Sequence, residues 1–198
     1  MLILTPDNIS KPIIKLAKQL VASPYLIYVD VIPEPSFLIN ECYENVRIKI
    51  QRDGGNIQYG WQIWEWFNVY IEAEFHAVWL SPSNQYVDIT PKAAHVTKIL
   101  FLPDPNRTYN NRSIDNERRP LRQDKLIRDF LRTSKEINRM KMKGEVPNNP
   151  NKTFVDQSDY EYWAILHDDL MKMLINNLTE NSPCFCGSNK QYKHCHSL

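Results

Sequence analysis

The strongest constraint on folding in this chain is a cluster of three cysteines and two histidines between Cys184 and His196, close to the C-terminus. A segment this short buries too little apolar surface to fold on its own. Two short groups of thiolate and imidazole ligands can instead fold around a tetrahedral metal ion, which then supplies most of the folding free energy. We therefore expect a small metal-dependent unit at this end of the chain.

The spacing of these residues predicts a closed structural zinc site with four ligands. The predicted ligands are Cys184, Cys186, Cys195 and His196. Gly187 and Ser188 follow the first pair and permit a tight turn, in which backbone amides can point at thiolate sulfur. His194 is an alternative to His196 as the fourth ligand, and a second alternative is that the cysteines pack as small apolar residues without a metal.

The pattern Cys-x-Cys-Gly-Ser-x-Lys-x-Tyr-Lys-x-Cys-His in this tail resembles the SEC-C motif, the zinc-binding tail of the preprotein translocase motor and of several otherwise unrelated bacterial proteins. One departure is Asn189, where glycine is common, but asparagine also tolerates a left-handed backbone. In the translocase motor this tail recruits a chaperone and touches the ribosome. The resemblance therefore implies a docking surface for a protein partner or the ribosome, formed by Lys190, Tyr192 and Lys193.

A second group of candidate residues lies in the middle of the chain, in the order Cys42, His76 and Asp88. This is the order of a thiol nucleophile, its general base and the residue that orients the base. Cys42 falls in the first or second turn of a predicted helix, where the positive end of the helix dipole favours the thiolate. His76 and Asp88 fall on predicted neighbouring strands. This order predicts a cysteine hydrolase or acyl-transfer enzyme.

A helix that carries cysteine, followed by strands that carry histidine and then aspartate, resembles the papain-like and transglutaminase-like cysteine enzymes. The resemblance implies that Cys42 is the nucleophile, His76 the base and Asp88 the orienting acid. The pair of aromatic residues that flanks the cysteine in papain is absent here. An oxyanion hole would come from the Cys42 amide and a donor near residues 59–61.

Three other interpretations compete with this one. Cys42 and His76 can be ordinary buried residues. Glu72, Glu74 and His76 alternate along one strand and can hold a divalent metal ion. A non-catalytic adaptor can bind a protein or ligand through aromatic side chains and recruit a ribosome or chaperone through the zinc tail. The aromatic cluster, for which core packing is the other explanation, comprises Trp61, Trp64, Trp66, Phe67, Tyr70, Phe75 and Trp79.

Hydrophobic periodicity predicts an α+β fold, an antiparallel sheet of about four to five strands packed by helices and followed by the zinc knuckle. The expected strands are residues 25–32, 57–66, 69–80, 86–89 and 98–102. The expected helices are residues 9–21, 37–52, 126–140 and 158–174, the last opened by a capping box at Ser158. We expect three parts: a papain-like core at 1–105, a helical extension at 106–180 with a hinge loop near 144–156, and the knuckle at 181–198.

Composition favours a soluble protein, since 42% of the residues are apolar and no run is long enough to insert into a membrane. The N-terminus lacks the pattern of a secretory signal, and clustered cysteines suit metal binding in a reducing compartment, so we expect a cytoplasmic location. Residues 104–145 contain 12 Lys or Arg against 7 Asp or Glu. This excess is typical of a solvated face and also allows contact with nucleic acid over residues 107–143.

Overall fold

The computed structural model describes residues 3–93, 96–146 and 149–196. Contacts divide this part of the chain into two units. The first, here the barrel unit, comprises Ile3–Trp66 and Ile71–Asn110. The second, here the C-terminal unit, comprises Phe67–Tyr70 and the described residues from Asn111 onward. The three-part organisation expected from the sequence stays a prediction.

The barrel unit is built from two helices and five strands. In chain order they are α1 (Lys11–Leu20), β1 (Ile27–Val31), α2 (Cys42–Asp53), β2 (Asn56–Trp66), β3 (Tyr70–Leu80), β4 (Tyr86–Asp88) and β5 (Lys98–Pro103). Helix α1 buries one apolar stripe, with Ile13, Leu16 and Ala17 fully covered. Pro12 lies in its first turn, where a missing N–H costs no helical hydrogen bond. Each of these elements overlaps a segment predicted from the sequence.

The five strands close into a barrel, which corrects the expected antiparallel sheet. Their order is β2-β5-β1-β4-β3, and β3 pairs again with β2. Strand β1 pairs with β4 in parallel, with Asp30 opposite Val87, whereas its other neighbour, β5, is antiparallel to it. Alternation and β-propensity identify a strand but carry no information on its partner or direction, so the sequence did not reveal the closure.

Barrel closure brings β2 and β5 into close contact at Gly60. This residue lies opposite Pro103, and the next pair is Trp61 and Leu102. A Cβ atom at position 60 would lie 2.4 Å from the Leu102 carbonyl oxygen and 2.5 Å from Cζ of Phe101. Only glycine leaves room for this approach of the two strands.

The C-terminal unit contains an extra strand, a helical hairpin and the metal-binding tail. Its elements are β6 (Glu117–Pro120), α3 (Lys125–Lys143), β7 (Glu145–Val146), β8 (Asn149–Thr153), α4 (Gln157–Ile175) and a short 3₁₀ helix (Tyr192–His194). Helices α3 and α4 pack together: the Phe130 ring stacks on His167 with centroids 4.5 Å apart, and Thr133 Oγ1 lies 2.9 Å from His167 Nδ1. Within the described residues, none of the helices has both the length and the apolar content that a membrane crossing requires.

Two local features of this unit differ from expectation. The segment near 144–156 contains the paired strands β7 and β8, with Glu145 opposite Thr153, instead of a plain loop, and its role as a hinge stays a prediction. Helix α4 is capped by Asp156, whose carboxylate accepts from the Ser158 and Asp159 amides, instead of by Ser158. Ser158 donates its hydroxyl to Asp156 Oδ1 at 2.7 Å. Aspartate is as good an N-cap as serine, so the capping-box pattern alone did not decide between them.

We predict that Gly60→Ala destabilises the chain by about 1–3 kcal/mol, because the added methyl group has to displace the β5 backbone. Gln58→Ala, on the same face of β2, is the control and should cost less. Urea unfolding of the two variants measures the difference. Equal midpoints would show that the approach at Gly60 is not tight.

Candidate active site and metal centre

Cys42 occupies the first position of α2. The residue therefore lies at the positive end of the helix dipole, where the backbone amides have no partner within the helix. Asn45, one turn later and 3% exposed, fixes the loop that precedes the cysteine. Its Oδ1 accepts from the Leu38 N–H at 3.2 Å, and its Nδ2 donates to the Leu38 carbonyl at 2.8 Å. The side chain of Cys42 is 6% exposed.

A hydrogen bond attaches the start of α2 to the strand that carries His76. The Tyr43 hydroxyl donates to the carbonyl of Phe75 at 2.8 Å. Cys42 also packs in one apolar cluster with Ala77 and Ile89, which are the sequence neighbours of His76 and Asp88. Helix packing therefore places the thiol beside the two strands that bear the other candidate residues.

His76 and Asp88 form a buried ion pair on the neighbouring strands β3 and β4. His76 Nε2 lies 3.0 Å from Asp88 Oδ2, and the residues are 4% and 0% exposed. Asp88 has two further partners: Lys92 Nζ lies 3.1 Å from Oδ2, and the Thr90 amide donates to Oδ1 at 3.0 Å. Because both carboxylate oxygens of Asp88 have partners, the carboxylate is fixed in place. Its contact with Nε2 then holds the imidazole of His76 in one orientation.

The charges of His76 and Asp88 shift the pKa values of the two residues in opposite directions. Burial acts to lower the pKa of His76, but the negative charge of Asp88, followed by that of Cys42, raises it to about 10. For Asp88, burial acts to raise the pKa, whereas the neighbouring His76 charge and hydrogen bond lower it. The folded protein therefore favours an imidazolium paired with a carboxylate at neutral pH.

An open cavity of about 240 Å³ adjoins the thiol and the imidazole. Its walls include Asn40, Cys42, Trp64, Glu74, His76 and Lys92. The Trp64 indole donates to Glu74 Oε2 at 2.7 Å, which fixes one wall. The three candidate residues are therefore brought together, with His76 bonded to Asp88 and with Cys42 and His76 in one cavity. Sequence reasoning missed Lys92 and Asn40, since neither stands in a recognisable pattern.

The structure gives little support to the two other roles considered for this region, a divalent metal site and an aromatic binding surface. In the described part of the chain, Glu72, Glu74 and His76 do not form a group able to share a metal ion. The aromatic cluster is largely interior: Trp61 is 1% and Trp66 is 7% exposed. An adaptor that binds a partner through these rings would need exposed ring faces, and the buried rings do not provide them.

The C-terminal ligands converge as the sequence predicts. One ligand atom from each of Cys184, Cys186, Cys195 and His196 lies within 4.8 Å of all the others, and His194 is not in the group. Cys186 Sγ and Cys195 Sγ are 3.3 Å apart, near the spacing of about 3.8 Å that a tetrahedral thiolate site requires. His196 Nε2 is buried and has no hydrogen-bond partner among the described residues. A buried, unpaired nitrogen beside three sulfurs fits a metal ligand, so this cluster can hold a metal ion.

The turn between the two ligand pairs shapes the site. Gly187 and Asn189 have φ values of 74° and 60°, the left-handed conformation expected from the sequence. The Ser188 hydroxyl lies 3.0 Å from Cys195 Sγ. Hydrogen bonding, first from Ser188, lowers the pKa of Cys186 to about 6, whereas burial raises that of Cys184 to about 11.

Tyr192 anchors the tail to helix α3 and does not belong to a docking surface. It is fully buried, and its hydroxyl donates to Asp129 Oδ2 at 2.7 Å. Lys125 pairs with the same carboxylate, and its ammonium lies 5.0 Å from the centroid of the Tyr192 ring. The Lys125 amide also donates to Glu180 Oε2 at 2.6 Å. Of the expected docking residues, Lys190 is exposed and Lys193 partly exposed.

Comparison with protein families identifies the tail. The model of the SEC-C motif matches residues 181–198. The C-terminal segment is a SEC-C motif. Searches of the curated proteins and of the solved structures found no match for the chain. The resemblance of the middle region to papain-like enzymes is therefore not supported by any comparison.

We predict that His196, and not His194, is the fourth ligand of the SEC-C motif. Titration of metal-free protein with Zn²⁺ against a chromophoric chelator should show His196→Asn weakening binding by more than about 10-fold. His194→Asn is the matched control and should leave the affinity unchanged. The reverse ranking would assign the ligand to His194.

The raised pKa of His76 predicts a pH-dependent stability. Below about pH 6.5 the imidazole is protonated in the folded and the unfolded chain, so the contribution of the His76 charge is fully present there. As the pH rises towards about 10, only the folded chain keeps the proton, and this contribution is lost. The unfolding free energy of wild type minus that of His76→Gln should fall by up to about 1.4 kcal/mol per pH unit.

The variant His167→Gln is a control for which the pH dependence of the unfolding free energy should have the opposite sign. Burial and then the charge of Arg118 lower the pKa of His167, so its contribution is lost as the pH falls through about 6.5. Urea unfolding from pH 5 to pH 9.5 measures both differences. A pH-independent difference for His76→Gln would contradict a charged imidazole in the folded chain.

Proposed function

We propose that the barrel unit is a cysteine hydrolase or acyl-transfer enzyme in which Cys42 is the nucleophile. His76 would handle the proton, and Asp88 would orient the imidazole. The observation that carries this proposal is the pairing of His76 Nε2 with Asp88 at 3.0 Å beside a cysteine at a helix start, in one open cavity. A nucleophile near a histidine that a third group orients is the general arrangement of such enzymes.

Two features of the site fit Cys42 as the nucleophile. His76, which Asp88 pairs, lines the same cavity as the thiol. Position 42 also lies at the positive end of the α2 dipole, where a developing negative charge is favoured. The other charged groups of the site offset each other, since Lys92 is a cation and Glu74 a carboxylate.

The chemistry then proceeds in two steps. The Cys42 thiolate attacks a carbonyl carbon, and the bond to the leaving group breaks as the His76 imidazolium transfers its proton to that group. The product is a thioester and a neutral imidazole. Water, or another acceptor, next attacks the thioester and gives its proton to His76, which restores the ion pair and releases the acid or the transferred acyl product.

Two groups would stabilise the negative oxygen formed in each step. One is the backbone amide of Cys42 in the first turn of α2. The other is the side-chain amide of Asn40, a residue that lines the cavity.

We further propose that the SEC-C motif holds Zn²⁺ and that the protein works in the cytoplasm, where its thiols stay reduced. Three thiolates and one imidazole are typical ligands of a structural zinc ion. Bound zinc would hold the two ligand pairs together and so keep Tyr192 seated on α3. In this proposal the exposed surface around Lys190 docks a protein partner or the ribosome.

The test is the rate of iodoacetamide reaction at Cys42 as a function of pH, followed by mass spectrometry on zinc-loaded protein. An unperturbed thiol with a pKa of about 8.5 is only about 1% thiolate at pH 6.5. We expect near-maximal reaction at pH 6.5 in the wild type. His76→Ala should slow it by about 10- to 100-fold, because the paired cation is lost.

His167→Ala is the matched control, since it removes a histidine from the other unit and should not change the rate. Asp88→Asn should give a smaller loss than His76→Ala, because the imidazole remains but loses its partner. A thiol that stays inert at pH 6.5, or reacts equally in the wild type and His76→Ala, would rule out the catalytic pair.

A further inference from the structure

A charged concavity lies in the C-terminal unit, remote in sequence from Cys42 and from the SEC-C motif. This groove, here the basic groove, has a volume of about 410 Å³. Strand β6 supplies Arg118 and Arg119, and helix α3 supplies Arg128, Arg132 and Lys135. Asp115 and Glu117 are the carboxylates in its lining.

The two walls differ in how their charges are compensated. On the strand side, Arg118 pairs with Asp115 at 3.1 Å and Arg119 pairs with Glu117 at 3.3 Å. On the helix side, Arg128, Arg132 and Lys135 are exposed, and none of them forms an ion pair with another described residue. The groove therefore carries an excess of positive charge that the rest of this unit leaves uncompensated.

The spacing of the helix residues makes this excess costly for the fold. Arg128 and Arg132 are separated by four positions, and Arg132 and Lys135 by three, so like charges face each other on one side of α3. Such pairs destabilise a helix. The opposite side, with Leu126, Ile127 and Phe130, forms the buried face. Exposed lysines of α1 have the same spacing, so the row alone does not indicate a ligand. The α3 row differs because two further arginines, Arg118 and Arg119, line the same groove opposite it, which suggests that an external anion is held between the two walls.

The form of the row indicates the kind of anion. From Arg128 to Lys135 the row extends about 10 Å along the helix, longer than a single phosphate group. The groove is too small for a duplex, and its lining contains no aromatic side chain on which a base could stack. These features suit a flexible chain of phosphates and do not suit recognition of bases.

We propose that the basic groove binds the sugar-phosphate backbone of single-stranded nucleic acid without sequence preference. The phosphates lie along the α3 row, where they replace the missing counter-charges, and the paired arginines of β6 form the opposite wall. Binding therefore depends on salt in proportion to the number of phosphates that are neutralised. This site is independent of the chemistry proposed for Cys42.

The experiment is fluorescence anisotropy of a labelled 12-nucleotide oligouridine with the full-length, zinc-loaded protein, from 50 to 200 mM salt. The test variant is the triple substitution Arg128→Ala, Arg132→Ala and Lys135→Ala. We expect at least a 10-fold loss of affinity at 50 mM salt, and a slope of log affinity against log salt that is smaller by about 2. Oligoadenosine and oligouridine should bind with the same affinity, because the site contacts phosphates and does not recognise bases.

The matched control is the triple substitution Lys11→Ala, Lys15→Ala and Lys18→Ala, which removes the same charge from the exposed face of α1. It should bind as the wild type does, and circular dichroism should show that both variants are folded. An equal loss in the control, or no binding by the wild type, would overturn the proposal. So would tripolyphosphate binding in the groove together with failure of the oligonucleotide to compete, since the site would then serve a small free phosphate compound.

Discussion

A single buried carboxylate, that of Asp88, organises the barrel unit. A charge with no exposed surface is tolerated only when partners compensate it, and Asp88 has three: an imidazole, an ammonium and a backbone amide. It ends β4, the three-residue strand that joins β1 on one side to β3 on the other. The strand that completes the barrel on this side is therefore also the one that fixes the orientation of His76. Strand β4 thus takes part in barrel closure and also carries the partner of His76.

The C-terminal unit depends on a different interaction. A tail of some fifteen residues cannot supply a core, so its order has to come from the ligand cluster and from Tyr192. That tyrosine donates to Asp129 in α3, and Lys125 pairs with the same carboxylate. The metal ligands on either side of the turn are thus attached to a helix that has its own packing against α4. A metal ion that holds the ligands together would therefore also keep Tyr192 in contact with α3.

The sequence predicts well what is local and poorly what is not. Periodicity located every helix and strand of the barrel unit, and the spacing of cysteines located the four ligands, because both patterns are carried by neighbouring residues. The parallel pairing of β1 with β4, the three partners of Asp88 and the burial of Tyr192 depend on residues far apart in the chain. Short strands such as β6, β7 and β8 were missed for a related reason: polar residues and prolines favour loops, and only their tertiary partners make them strands.

The cysteines of this chain lie in two different environments, and the difference follows from their neighbours. In the SEC-C motif, three thiols face one another and a buried imidazole without a hydrogen bond. Such an arrangement lacks a cation, and a metal ion is what compensates three thiolates. Cys42 has no second sulfur in its apolar cluster, and it shares a cavity with His76, Lys92 and Glu74. Under the function proposed above, a cysteine without metal-binding neighbours stays free to attack a substrate, whereas the cysteines of the SEC-C motif would be occupied by a metal ion. Neighbouring residues, and not the cysteine itself, would then decide between the two roles.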